Sequence, residues 1–189
     1  MNQRFQLICI LVFAVLNIRA QAEIDFHPKL LYKELVKSKQ SELPSFEELK
    51  MKSGLSERVH GGKYYIIANP GSPEGFKYAY IGRINSCRAG GCSVHADESA
   101  GQASEYFDYF ILFDAGCIVR LVRVFNYQAT HGQEITAPGW LKQFIGYSGQ
   151  STLDAGKNVD AISGATISVT GITYDIEEKT KLLRKNMLE

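Results

Sequence analysis

The spacing of apolar positions changes along the chain, and each change marks a different kind of element. Between His27 and Ser53, Leu30, Leu31, Leu35 and Val36 recur at three-to-four spacing, which predicts a helix, and Pro44-Ser45 interrupts it. Ser45 followed by Glu48 has the spacing of a capping box, so a second short helix is expected from there to Gly54. From Lys63 the character becomes β. Lys63–Ala68 and Phe76–Ile81 are aromatic and β-branched runs, and Asn69-Pro70-Gly71-Ser72-Pro73 between them has the composition of a turn, so a hairpin is expected. Tyr106–Phe113 and Cys117–Tyr127 form a second pair joined by Asp114-Ala115-Gly116, and their density of Phe, Ile, Leu and Val suits central strands.

Two polar stretches separate these runs from the end of the chain. Asn85 to Ser104 reads as a loop, with or without a short helix. Gln128 to Gly139 reads as another, leading into a short amphipathic helix from Trp140 to Ile145. Beyond Ile167, Ile172, Ile176, Leu183 and Met187 recur at intervals of four and seven, which gives a last helix one apolar face. The expected fold class is α+β: a curved antiparallel sheet of two or more hairpins, with N-terminal helices before it and a C-terminal helix after it.

The first residues have the character of an address. Arg4 supplies a positive start, Phe5 to Leu16 an apolar run, and Ala20-Gln21-Ala22 a small-x-small cleavage site. The run is shorter than the roughly 20 residues that span a bilayer, so residues 1–22 are expected to be a cleaved signal peptide, with a retained membrane anchor as the alternative. Cys9 follows Ile8 where a lipid-modified cysteine usually follows a small residue, so lipidation is not expected. The remaining chain is divided into a helical lead-in, 23–62, and a main domain, 63–189, and is assigned to the periplasm or the outer face of the cytoplasmic membrane. The formal charge of +1 stays near neutral when Arg4 and Arg19 leave with the leader. No basic cluster argues for nucleic acid.

Three cysteines survive processing. Cys87 and Cys92 have four residues between them, two of them glycines, which suits a local disulfide in an oxidising compartment. A redox-active thiol pair, or a metal site completed by Cys117 or His95, is the alternative, although the spacing matches no metal motif. Cys117 opens an apolar run and reads as a buried small hydrophobe. No metal site is assigned.

The most informative segment is Asp160-Ala161-Ile162-Ser163-Gly164-Ala165-Thr166, directly before the last helix. Small residues let backbone approach a ligand, and the first N–H groups of a helix favour a phosphate. On these physical grounds alone, an ordinary helix cap at Ser163 or Thr166 is the favoured reading. Asp-x-x-Ser-Gly-Ala-Thr followed by a helix resembles the flavinylation motif of the FMN-binding domain family, which includes the flavin-bearing peripheral subunits of sodium-pumping quinone reductases and related electron-transport complexes. The resemblance extends over about residues 63–188. It implies FMN as cofactor, joined through its phosphate to Thr166 by a flavin transferase that uses FAD. It further implies that Asp160 shapes the loop and is recognised by the transferase, with Ser163, Gly164 and Ala165 as phosphate donors; Ser168 could add a hydroxyl.

The family usually carries Glu-Thr-Pro-Gly upstream, near the flavin ring. This chain has Glu134-Ile135-Thr136-Ala137-Pro138-Gly139, with Ile135 and Ala137 inserted. On the resemblance, Glu134, Thr136, Pro138 and Gly139 lie near the ring together with the adjacent Trp140; His131 and Gln133 are lesser candidates. The reading that follows is an exported electron-transfer flavoprotein whose partners are the transferase and a membrane or periplasmic redox chain. It is expected to be a carrier and not a stand-alone enzyme. The alternatives are a noncovalent FMN-binding module, a secreted flavin-dependent reductase, and a thiol redox protein using Cys87 and Cys92. A Ser163-His131-Asp160 hydrolase is not supported, because no nucleophile elbow surrounds the serine.

Overall fold

The computed structural model describes residues 23–37, 45–59, 61–68, 75–88 and 104–188. The expected leader, residues 1–22, lies outside that set. So does Cys92, so the Cys87–Cys92 pairing also falls outside it.

Helix α1 (Lys29–Lys37) is followed by strands β1 (Ser45–Glu48), β2 (Lys63–Ala68), β3 (Tyr78–Arg88), β4 (Ser104–Phe113) and β5 (Val119–Tyr127). A short helix, α2 (Pro138–Leu141), and the 23-residue α3 (Thr166–Leu188) complete the chain. The strands form one open antiparallel sheet in the order β1-β2-β3-β4-β5. Each strand therefore pairs with its neighbours in sequence, as the α+β reading with its two hairpins requires.

Both faces of the sheet are covered, which is why its central strands read as nearly unbroken apolar runs. Tyr64, Tyr80, Ile111 and Val122 are aligned across β2 to β5. They face the buried side of α3, where Val169, Ile172, Ile176, Leu182 and Leu183 lie. Tyr65, Ala79, Leu112 and Leu121 form the corresponding row on the other face, under Leu31 and Leu35 of α1. The expected face of the last helix is correct, with Ile172, Ile176 and Leu183 buried and Met187 packed at its edge.

One helix of the lead-in is a strand instead. Ser45–Glu48, read as a capping box, pairs in register with Ala68–Tyr65 of β2. An open sheet edge offers this segment a ladder of hydrogen bonds that an isolated turn of helix cannot match. Phe46 then packs edge-on against Tyr65 and Tyr32, at ring-centroid distances of 6.0 and 5.5 Å. Residues from the lead-in thus extend the sheet and cover one of its faces.

The connection into β5 also differs from the expected strand start at Cys117. The carboxylate of Asp114 accepts the N–H groups of Gly116 and Ile118, both at 2.9 Å, and Cys117 adopts φ +59 in the turn between. The strand begins at Val119. Cys117 is fully buried, as its apolar surroundings imply, and is a free thiol. Burial pushes this thiol from 9.0 up to about 11. The fold therefore holds the neutral form, and the resulting stability is intact below about pH 9 and is lost as the pH rises toward 11. In a variant with Cys9, Cys87 and Cys92 replaced by Ser, Cys117 should resist a thiol reagent at pH 8 until denaturant is added. Rapid labelling of the native protein would contradict this packing.

Candidate functional site

The segment singled out by sequence forms the entry to α3. Ile162 to Ala165 make a turn closed by the Ala165 N–H donating to the Ile162 carbonyl at 3.1 Å, with Gly164 at φ +81 in its third position. A residue with a Cβ is strained in that conformation. The Ala165 carbonyl then accepts the Val169 N–H at 2.9 Å, which makes Ala165 the cap and Thr166 the first helical residue. The N–H groups of Thr166, Ile167 and Ser168 are consequently left without intrahelical acceptors. The N–H of Ala165, expected among the phosphate donors, is already committed to Ile162.

Burial separates these residues by task. Asp160, Ser163, Gly164 and Thr166 are exposed, whereas Ala165 and Ser168 are buried. Ser168 turns its hydroxyl toward Ser86 and Tyr127, at 3.3 and 3.4 Å, so the exposed hydroxyls of this entry are those of Ser163 and Thr166.

The loop that follows β5 packs against the same helix end. Gly132, at φ +84, fits closely: a Cβ there would lie 3.1 Å from both the Ser168 and Tyr127 hydroxyl oxygens and 3.2 Å from the Ala165 Cβ. The Tyr127 hydroxyl donates to the His131 carbonyl, and its ring stacks on Phe107 at 5.6 Å. Burial pushes the Tyr127 phenol upward, so it remains a donor at neutral pH.

Tyr127 owes this position to a one-residue bulge. Tyr109 pairs with Val124 but Asp108 pairs with Asn126, leaving Phe125 as the extra residue of β5. A regular ladder would pair Tyr127 with Tyr106, on the α1 face. The bulge pairs it with Phe107 and turns it to the α3 face.

Farther along, Gln133–Thr136 forms a turn of 3₁₀ helix and Pro138 opens α2. Glu134, Pro138 and Gly139 are exposed, Thr136 and Trp140 are half-buried, and His131 and Gln133 are exposed. A Cβ at Gly139 or Gly164 would meet nothing within 4 Å, so the backbone is open at both segments. Trp140 makes direct contact with the Asp160–Thr166 segment: its indole N–H donates to the Asp160 carbonyl at 3.0 Å. The Asp160 N–H donates to the Gln143 side-chain oxygen at 2.7 Å, and the Gln143 amide donates to the Trp140 carbonyl at 2.9 Å. No hydrogen bond joins the side chains of Glu134 or Thr136 to the Asp160–Thr166 segment among the described residues.

The two sequence-predicted clusters are therefore neighbours, joined by residues that sequence reasoning passed over. Tyr127 occupies a strand position that reads as core, Ser86 lies in β3, which runs to Arg88 where a loop was expected from Asn85, and Gln143 lies in a short helix with no motif. No local pattern marks any of the three.

These residues suit a flavin mononucleotide: an accessible hydroxyl and unpaired N–H groups for the phosphate at one end, and an open segment beside an indole for the ring at the other. The exposed turn around Gly164 leaves the phosphate end unobstructed. The FMN-binding domain model matches residues 82–178, just over half of the chain. That span includes both the Asp160–Thr166 segment and the Glu134–Trp140 segment. Neither a curated protein nor a solved structure matches the chain significantly. The chain belongs to the FMN-binding domain family, and FMN is its cofactor.

Proposed function

We propose that the chain is an exported electron carrier whose FMN is bound covalently through its phosphate to the Thr166 hydroxyl. One observation carries this reading: Thr166 is exposed at the first position of α3, immediately after the positive-φ turn at Gly164. A hydroxyl there is accessible to a modifying enzyme and lies beside N–H groups that can hold the phosphate.

Attachment by a flavin transferase would use FAD as donor. The Thr166 oxygen forms a bond to the FMN phosphorus, the pyrophosphate bond of FAD breaks, AMP leaves, and the threonine proton passes to solvent or to a base of the transferase. Asp160 suits recognition in that step. Its carboxylate is exposed, whereas its backbone N–H and carbonyl are held by Gln143 and Trp140. Bound FMN supplies the one- and two-electron chemistry, and the protein supplies its position and electrostatic surroundings. A noncovalent module is the second reading, favoured by the fact that the same three N–H groups would hold a free phosphate.

Coexpression with a flavin transferase and its FAD supply should add one FMN, less one water, to the intact mass of wild type. Thr166→Ala should gain nothing, while its melting temperature should stay within a few degrees because the side chain is exposed. Covalent flavin on Thr166→Ala, or none on wild type, would reject covalent attachment at this residue. Flavin that is lost on denaturation would support the noncovalent reading instead.

Export makes a separate prediction from Arg4, the Phe5–Leu16 run and Ala20-Gln21-Ala22. Protein recovered from the native host should begin near Glu23 and fractionate with the periplasm or the outer face of the cytoplasmic membrane. A chain that still begins at Met1 in the cytoplasm would refute it.

A further inference from the structure

Gln143 has a part in this site that no motif assigns. A flavin anchored by its phosphate near Thr166 and contacted by its ring near Trp140 is held only as firmly as those two segments are held to each other. Covalent continuity contributes little to that coupling. The chain between Phe144 and Asp160 contains turns and a single Ala155–Val159 bridge, with no regular element.

Contacts across the two segments therefore set the spacing, and Gln143 is central to those at Asp160. Its carboxamide oxygen accepts the Asp160 N–H at 2.7 Å while its nitrogen donates to the Trp140 carbonyl at 2.9 Å. Trp140 closes the ring of contacts through its indole N–H to the Asp160 carbonyl at 3.0 Å. Both backbone polar groups of Asp160 are thus tied to the α2 side. Trp140 also stands edge-on to the fully buried Phe144, at 5.4 Å, which anchors the α2 side in the core.

The chemistry demanded of residue 143 is specific. One end must accept and the other must donate, and among side chains of this length only a glutamine does both. Glutamate would keep the acceptor but turn a carboxylate oxygen toward the Trp140 carbonyl. Leucine, of similar size, would lose both bonds.

We propose that Gln143 is a positioning residue for FMN, fixing the ring-side segment relative to the phosphate-side loop. The proposal rests on the binding of FMN at this site but not on whether the phosphate is covalently attached. Because Gln143 also holds the Asp160 backbone, substitution is read on protein that already carries flavin, where it should alter how the flavin is held.

The test uses the full mature chain, loaded by coexpression with transferase, as wild type, Gln143→Glu and Gln143→Leu. Gln150→Leu, exposed and outside this network, serves as control. Intact mass gives the loaded fraction of each protein, and the flavin is compared on that fraction. Flavin fluorescence anisotropy should fall, and the midpoint potential should move toward that of free FMN, in the order Gln143→Leu then Gln143→Glu, with Gln150→Leu unchanged. A fully loaded Gln143→Leu with wild-type anisotropy and potential would overturn the proposal, as would an equal change in the control. Should Gln143→Leu fail to fold, the proposal is decided on Gln143→Glu, which retains one bond. If wild type gains no covalent flavin, the attachment reading fails, and this proposal is then judged by titration with added FMN. Weakening of about three- to tenfold in Gln143→Leu, the scale of one or two neutral hydrogen bonds, would support it, and unchanged affinity would refute it.

Discussion

Lys179 lies in the middle of the buried face of α3, only 2% exposed, and its accommodation constrains much of the molecule. A buried ammonium needs partners, and this one has three: the Asp175 carboxylate at 3.2 Å, the Arg58 carbonyl at 3.0 Å and the face of the Tyr80 ring at 5.8 Å. The carbonyl of the same residue accepts the buried hydroxyl of Tyr64 at 2.7 Å, and Asp175 accepts that of Tyr109 at 2.5 Å. These bonds tie one helix to β2, β3, β4 and the turn at Ser56–Val59. Displacing α3 by one turn along the sheet would separate the buried Lys179 ammonium from the Arg58 carbonyl and the Tyr80 ring, leaving it only Asp175 of its own helix, and would leave the Tyr64 and Tyr109 phenols without partners, at a cost of several kcal/mol. Apolar packing alone would permit such sliding more readily, so this polar network sets the register. With the register fixed, so is the helix start, about 20 Å away at the rise of an α-helix.

That helix start acquires its surroundings from strand irregularity. The bulge at Phe125 moves Tyr127 from one face of the sheet to the other, where its hydroxyl joins the His131 loop to the Ser168 end of α3. A site at the margin of a covered sheet needs side chains that leave the regular alternation, and a bulge supplies that at the loss of one ladder position. Gly132 completes the junction because only a residue without Cβ permits so close an approach.

Two separate junctions therefore join the loop after β5 to the α3 entry, one around Tyr127 and Gly132 and the other around Gln143 and Trp140. They lie on either side of the exposed turn at Ser163-Gly164. An electron carrier benefits from this arrangement because its flavin must exchange electrons while remaining in a constant environment, and a rigid support with an open front provides both.

How much of this was legible in the sequence depended on the range of the interactions involved. Alternating aromatic and β-branched runs located four strands, and the spacing of Ile172, Ile176 and Leu183 gave the correct face of α3, because these signals are local and periodic. The Asp160–Thr166 segment was also local: seven contiguous residues with a glycine where the chain needs positive φ. Ser45–Glu48 was misread because its helix-capping pattern competes with a free sheet edge that exists only after β2 has folded. Lys179 reads as solvent-facing until Asp175, Arg58 and Tyr80 surround it. Tyr127 and Gln143 carried no signal, since one acts through a bulge set by strand pairing and the other through bonds to a backbone 17 residues away. The sequence by itself determined the elements and the point at which FMN is proposed to attach. The geometry that would hold the rest of the cofactor was decided only in the tertiary structure, because it depends on contacts between segments that do not adjoin until the chain has folded.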